Sequence, residues 1–170
     1  MNILAVSIVG GVLKKNMTKE IEQFLKESNA IENVYDAISL EQAKIAWEYL
    51  TEQKEMTSGV ILKTHKILML FSNLLPNEKG YFRQVGVSVG GRLGMTWQKI
   101  PEAIGNWCNN TMKARWSAKK LHVAFEKIHP FVDGNGRVGR MLMNWTLIKK
   151  KQPILIIKES EKKDYYSWFI

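Results

Sequence analysis

The run Gly134-Asn135-Gly136 is set between two stretches that each carry an apolar stripe at helical spacing. Before it, Ser117 to Ile128 places Leu121, Ala124, Phe125 and Ile128 on one face. After it, a long helix is expected to about Lys150, with Val138, Met141, Leu142, Trp145 and Ile148 as its stripe and Pro153 as its stop. Two core helices joined by so permissive a loop restrict the fold more than any other feature. Glycine adopts backbone angles that other residues avoid, so the amides of such a loop can converge into an anion nest. This nest opens into the first turn of a helix, where N–H groups are free and the dipole end is positive.

The rest of the pattern is also mostly helical. Met17 to Ala30 carries Ile21, Phe24 and Leu25 on one face, with Thr18 as its cap. Ser39 to Glu52 carries Leu40, Ala43, Trp47 and Leu50, with Ser39 as cap and Gln42 three residues on. Ser58 to Leu70 carries Ile61, His65, Leu68 and Met69, and Pro101 suits the first turn of a further helix. Between them, Leu75-Pro76-Asn77 and Lys79-Gly80 are breakers. Val85, Val87 and Val89 then alternate with Gly86 and Ser88 before Gly90-Gly91, which reads as a small hairpin ending near Trp97. There is no internal repeat and no low-complexity linker. The fold class is mainly α, with one small β-hairpin.

The 170 residues suit one domain with a real apolar core. A formal charge of +9 favours phosphates, nucleic acid or an acidic partner without choosing among them. Lys149, Lys150, Lys151, Lys158, Lys162 and Lys163 read as a solvated face. The single cysteine, Cys108, excludes an internal disulfide and a multi-thiolate zinc site, so a reducing, cytoplasmic compartment is expected. Ile3 to Leu13 is apolar but shorter than the about 20 residues that span a bilayer. It reads as a strand or helix on the core, or as an ill-ordered end, and no membrane partner is expected.

The chemistry concentrates in His129 to Arg140. Arg137 and Arg140 lie three apart beside the nest, and two guanidiniums there suit a polyphosphate. One carboxylate, Asp133, suffices for Mg²⁺ when phosphate oxygens and waters complete the octahedron. His129, at the end of the preceding helix, can take a proton from an attacking hydroxyl near neutral pH. Together these groups describe nucleotidyl or phosphoryl transfer. Other readings compete. Gly134-x-Gly136-x-x-Gly139 matches a dinucleotide-binding fingerprint, with Glu159 about 20 residues on, but a helix rather than a strand precedes it. His122, Glu126 and His129 share a helix face and could hold a metal, though their order is not that of the zinc proteases. His122 and Glu126 read more simply as packing or hydrogen-bonding residues. The blandest reading is a plain glycine-rich loop.

The segment His129-Pro-Phe-Val-Asp133-Gly-Asn-Gly-Arg137-Val-Gly-Arg140 resembles the signature of the Fic family, with every fixed position filled. Leu121-His122 through Ile128 resembles the helix that leads into it. Gly80-Tyr-Phe-Arg83 and Val87 to Gly91 resemble the family's strand and flap, and Tyr165-Tyr166 its closing tyrosines. The resemblance covers roughly residues 25 to 168 and implies a Fic-type helical domain that transfers AMP from Mg-ATP to a Tyr, Thr or Ser hydroxyl of a target protein. By position in the motif, His129 would be the base and Asp133 the Mg²⁺ ligand. Gly134, Asn135 and Gly136 would cradle the phosphates, with Asn135 on the α-phosphate, while Arg137 and Arg140 would bind the β- and γ-phosphates. Phe131 would anchor the loop in the core, and the flap, about Val85 to Trp97, would pair with an extended target segment.

Ser28-Asn-Ala-Ile-Glu32-Asn33 resembles the family's inhibitory motif. The resemblance implies that Glu32 pairs with Arg140 and fills the γ-phosphate place. The implied division is an N-terminal region, 1–53, holding an inhibitory helix at about 18–33, and a Fic core, 54–170. Removal of AMP from modified targets at the same site is an alternative. So is a basic helical module that binds nucleic acid or a partner, although no motif position is lost and nucleic acid is not favoured. A homo-oligomer stays open.

Overall fold

The structure, a computed structural model, describes residues 17–169. The apolar stretch Ile3 to Leu13 lies outside the described residues. Seven α-helices follow in order: α1 (Lys19–Ile31), α2 (Ala37–Glu52), α3 (Ser58–Leu68), α4 (Ile100–Met112), α5 (Ala118–Ile128), α6 (Asn135–Lys149) and α7 (Lys162–Tyr166). Between α3 and α4, β1 (Ser88–Val89) pairs antiparallel with β2 (Arg92–Leu93), Ser88 opposite Leu93 and Val89 opposite Arg92.

Four helices begin on a side-chain cap. Thr18 accepts from the Ile21 N–H, Asp36 from Ser39, Thr57 from Val60 and Ser117 from Lys120. Asp36, not Ser39, caps α2, so that helix starts two residues before the expected cap; a carboxylate is as good an acceptor and stood in plain view. Helix α6 ends at Lys149, and Lys151 turns the chain with a φ of 55°, so the stop comes before Pro153. Ile148, expected in the buried stripe, is 39% exposed because it lies in that last turn.

The hairpin is smaller than the valine alternation suggests. Only two residues pair on each side, around Gly90 and Gly91 with φ of 55° and 76°, the signs a tight two-residue turn requires. The carbonyl of Val85, which a longer ladder would have used, instead accepts from Arg83.

One apolar cluster joins α1 through α6. Phe24 and Leu25 of α1, Trp47 and Leu50 of α2, Ile61 of α3, Ile104 and Trp107 of α4, Phe125 of α5 and Leu142 of α6 are all buried in it. Each such side chain contributes about 1.5–3 kcal/mol by leaving water. A second cluster forms where Ile157 and Tyr165 close over Ile31, Ala118 and Met143. The end of α1 is thereby held against α5, α6 and the C-terminal segment. Among the described residues, no helix is long and apolar enough to cross a membrane.

Candidate active site

The loop between α5 and α6 is built from inside outward. Phe131 is fully buried, and the His65 ring stacks on it at 3.7 Å. The Asn135 side chain brackets Phe131: Oδ1 accepts from its N–H and Nδ2 donates to its carbonyl, both at 2.9 Å. Asn135 therefore gives its side-chain amide to the loop. Gly134 sits at a φ of 80°, which a side chain would strain, and its N–H donates to Asp133 Oδ1 at 2.6 Å.

His65 of α3 ties this loop to the flap's root. The Gly80 N–H donates to Nδ1 at 2.9 Å, which leaves the proton on Nε2 to be donated to the Asp133 carbonyl at 3.0 Å. Burial lowers the His65 pKa to about 4, so the ring is neutral in this role. Sequence reading found His65 only as part of a helical stripe.

His129 ends α5 in the left-handed region, φ 50° and ψ 64°, with its N–H donating to Phe125 O. The ring stays beside the helix it ends, with Nδ1 3.8 Å from Glu126 Oε2. Arg83 fixes the turn. Its Nε donates to the His129 carbonyl at 2.8 Å, Nη1 to Val85 O and Nη2 to Met95 O, both at 2.7 Å, while its own N–H donates to Pro130 O at 2.9 Å. One buried guanidinium thus joins the flap to the start of the loop. Burial lowers the pKa of His129, so the ring is neutral at pH 7.

The two arginines of α6 point to different neighbours. Arg137 is buried against Met69, with Nη2 3.2 Å from Sδ and 3.7 Å from Asp133 Oδ2, and among the described residues its Nε has no partner. Arg140 is almost wholly enclosed. Nε donates to Ser28 Oγ at 2.9 Å, Nη1 to Tyr165 OH at 3.0 Å, and Nη2 to both Ser28 O and Glu32 Oε1 at 2.8 Å. Burial opposes its charge, but Tyr165 and Glu32 outweigh it and raise the pKa.

Glu32 lies just past α1, and Asn33 closes the helix at a φ of 59°, a conformation asparagine tolerates. The Glu32 carboxylate rests directly over the first turn of α6. A Cβ built on Gly136 would strike Glu32 Oε1 and lie 3.0 Å from Arg140 Nη1. Ser28, Glu32, Gly136 and Arg140 therefore meet at one point, with a carboxylate over the first turn of α6 and against a guanidinium.

Asp133 has a side chain 63% exposed at the rim of this place. Among the described residues, no three His, Cys, Asp or Glu side chains group to hold a metal. The His122–Glu126–His129 reading fails for this reason, and His122 Nε2 is engaged by Tyr165 OH at 2.9 Å. A divalent ion would fit Asp133 only together with ligand oxygens and water, the arrangement Mg²⁺ favours. The dinucleotide fingerprint also lacks its strand, since α5 precedes the loop.

The Fic/DOC family model matches residues 55–147, more than half of the sequence. The chain belongs to the Fic/DOC family. Protein adenylyltransferase Fic of Drosophila grimshawi is 32% identical to this Fic chain over 124 residues, 69% of the chain and 25% of that protein. The protein of the same name from Drosophila melanogaster aligns with the same identity and coverage. The chain thus spans about a quarter of the length of these relatives. Its fold is that of Fic domain structures. A Fic domain containing signaling protein from Bacteroides thetaiotaomicron superposes with a TM-score of 0.73 at 17% identity, covering 86% of this chain and 69% of the other. A Fic family protein from Desulfovibrio desulfuricans gives 0.71 at 22% identity, covering 89% and 58%.

Proposed function

We propose that this Fic chain is a protein adenylyltransferase that moves AMP from Mg-ATP to a hydroxyl side chain of a target protein, with α1 as its built-in brake. One observation supports the reading: the Glu32 carboxylate lies over Gly136 in the first turn of α6 and accepts from Arg140 Nη2 at 2.8 Å. A carboxylate on a nest and a guanidinium marks an anion site. The unpartnered Nε of the buried Arg137 is a further donor awaiting an acceptor.

In this account the free amides of Asn135 and Gly136 cradle phosphate oxygens, and Arg137 and Arg140 hold the outer phosphates. Asp133 would hold Mg²⁺, which when bound neutralises phosphate charge. His129 Nε2 takes the proton of the target hydroxyl as that oxygen attacks the α-phosphorus, and pyrophosphate leaves. Orientation and charge compensation supply most of the acceleration in such a site. The target would lie along the flap, where the edges of β1 and β2 offer main-chain pairing. Residues 54–170 form the transferring unit and 1–53 carry the brake.

The test is transfer of label by the Glu32→Gly chain with Mg²⁺ and a protein lysate. Label in the α-phosphate of ATP should enter protein, whereas label in the γ-phosphate should not. Transfer of γ-label, or of neither, would contradict the reading.

A further inference from the structure

A buried carboxyl that the mechanism above does not use lies beside its base. Glu126 of α5 is 9% exposed, and its Oε2 stands 3.8 Å from His129 Nδ1. Among the described residues, neither the Glu126 Oε1 nor the His129 Nδ1 atom has a hydrogen-bond partner. The Glu126 main-chain carbonyl, Glu32 and Asp133 favour the charged ring of His129, while Arg83 opposes it. Room for this carboxyl is made by α6. A Cβ on Gly139 would strike Glu126 Oε1 and come within 2.9 Å of His122 Nδ1, so the absence of a side chain there admits both.

We infer that Glu126 is the positioning residue of His129: it holds the ring through Nδ1 and offsets the positive charge that builds on the imidazole. A proton on Nδ1 directed at Glu126 leaves the Nε2 lone pair for the target hydroxyl. When Nε2 accepts the hydroxyl proton, the ionised carboxylate of Glu126 compensates the imidazolium. A hydrogen-bonded carboxylate behind a catalytic histidine acts through tautomer and orientation. The ordering of the site favours the contact further. Arg140 Nη1 donates to Tyr165 OH, which engages His122 Nε2, so the groups around Glu126 are fixed from α5, α6 and α7 together.

Burial pushes the Glu126 carboxyl up to about 8; Arg140 of α6 opposes this and Glu32 of α1 adds to it. Other titratable groups near it are His122 on α5, His129 at the loop, and Tyr165 and Tyr166 on α7. The carboxyl is protonated below about pH 8 and ionised above it, so the offsetting charge appears as pH rises through that value.

This inference rests on the proposed adenylyl transfer for its kinetic meaning, and its test separates the two. The ring nitrogens of His129 are followed by ¹⁵N NMR against pH in the full chain, with His129→Ala assigning the signal. A second inflection near pH 8 should be present and should vanish in Glu126→Gln, a neutral side chain of the same shape. In parallel, Glu126→Gln in the Glu32→Gly chain should lower kcat about 10- to 100-fold above about pH 8, where Glu126 is ionised, and little below it, with KM for ATP within about twofold throughout. Its pH–rate profile should lose the alkaline rise. An identical ring titration in both proteins, or an unchanged kcat and pH profile, overturns the positioning role. If the Glu32→Gly chain transfers no AMP, the proposed function fails, and the ring titration alone decides for or against the Glu126–His129 contact.

Discussion

Arg140 Nη2 donates to Glu32 Oε1 at 2.8 Å, joining the end of α1 to the second turn of α6. The same guanidinium is also held by Ser28 and Tyr165. The Glu32 side chain is one-third exposed and the Arg140 side chain almost fully covered, so under the proposed function a phosphate would displace Glu32 alone. A charge-assisted hydrogen bond is worth about 1.5–3 kcal/mol, which corresponds to roughly a 10- to 100-fold effect on occupancy. Glu32→Gly should therefore raise the rate of AMP transfer by about that factor, measured by α-labelled ATP. Ser28→Ala, which removes one Arg140 contact but not the blocking carboxylate, should raise it less.

Arg83 should be a structural requirement of the site although it touches no reacting atom. Arg83→Met keeps the bulk but leaves the carbonyls of His129, Val85 and Met95 without their donor. Unsatisfied buried groups cost about 1–3 kcal/mol each, and partial access of water reduces the sum. A loss of about 2–4 kcal/mol in urea unfolding is expected, with faster protease cleavage in the flap. Equal stability of the variant and the unmodified chain would contradict the assignment.

The pH dependence of stability follows from three buried groups. Burial lowers His65 to about 4 and His122 to about 3. Both folded values lie below the unfolded one, about 6.5, so the unfolded state binds more protons and stability falls as pH drops below about 6.5. Glu126 is raised to about 8, so between the unfolded carboxyl value and 8 the folded state binds more protons, and stability falls as pH rises. Below about 6.5 two histidines outweigh one carboxyl; above it the carboxyl acts alone. Thermal melts should show a maximum near pH 6.5, and Glu126→Gln should flatten the alkaline side and steepen the fall on the acid side.

Much of this was legible in the chain because it is written locally. The stripes of α5 and α6 and the glycines between them announce the helix–loop–helix. Thr18, Thr57 and Ser117 lie where caps belong, although Thr57 was not singled out. The contacts made over long separation were not legible. Nothing near Arg83 in sequence says that it closes on the His129 carbonyl, and nothing near His65 says that it carries the Asp133 carbonyl. Burial and main-chain acceptors created by the fold give both residues their roles. The valine alternation misled for a related reason: Arg83 and the flap's tight turn take the hydrogen bonds that a longer ladder would need. The pairing of Glu32 with Arg140 came from the likeness of a six-residue motif, since helical spacing alone could not reach across more than 100 positions.

The most direct test of the central claim compares Glu32→Gly with the double variant Glu32→Gly/His129→Ala in one assay, following AMP incorporation into protein by intact mass. Removing a general base costs on the order of 10²–10⁴-fold. The single variant should add the mass of one adenylyl group, and the double variant should lose that activity while still gaining thermal stability from Mg-ATP. Undiminished incorporation by the double variant would contradict the account.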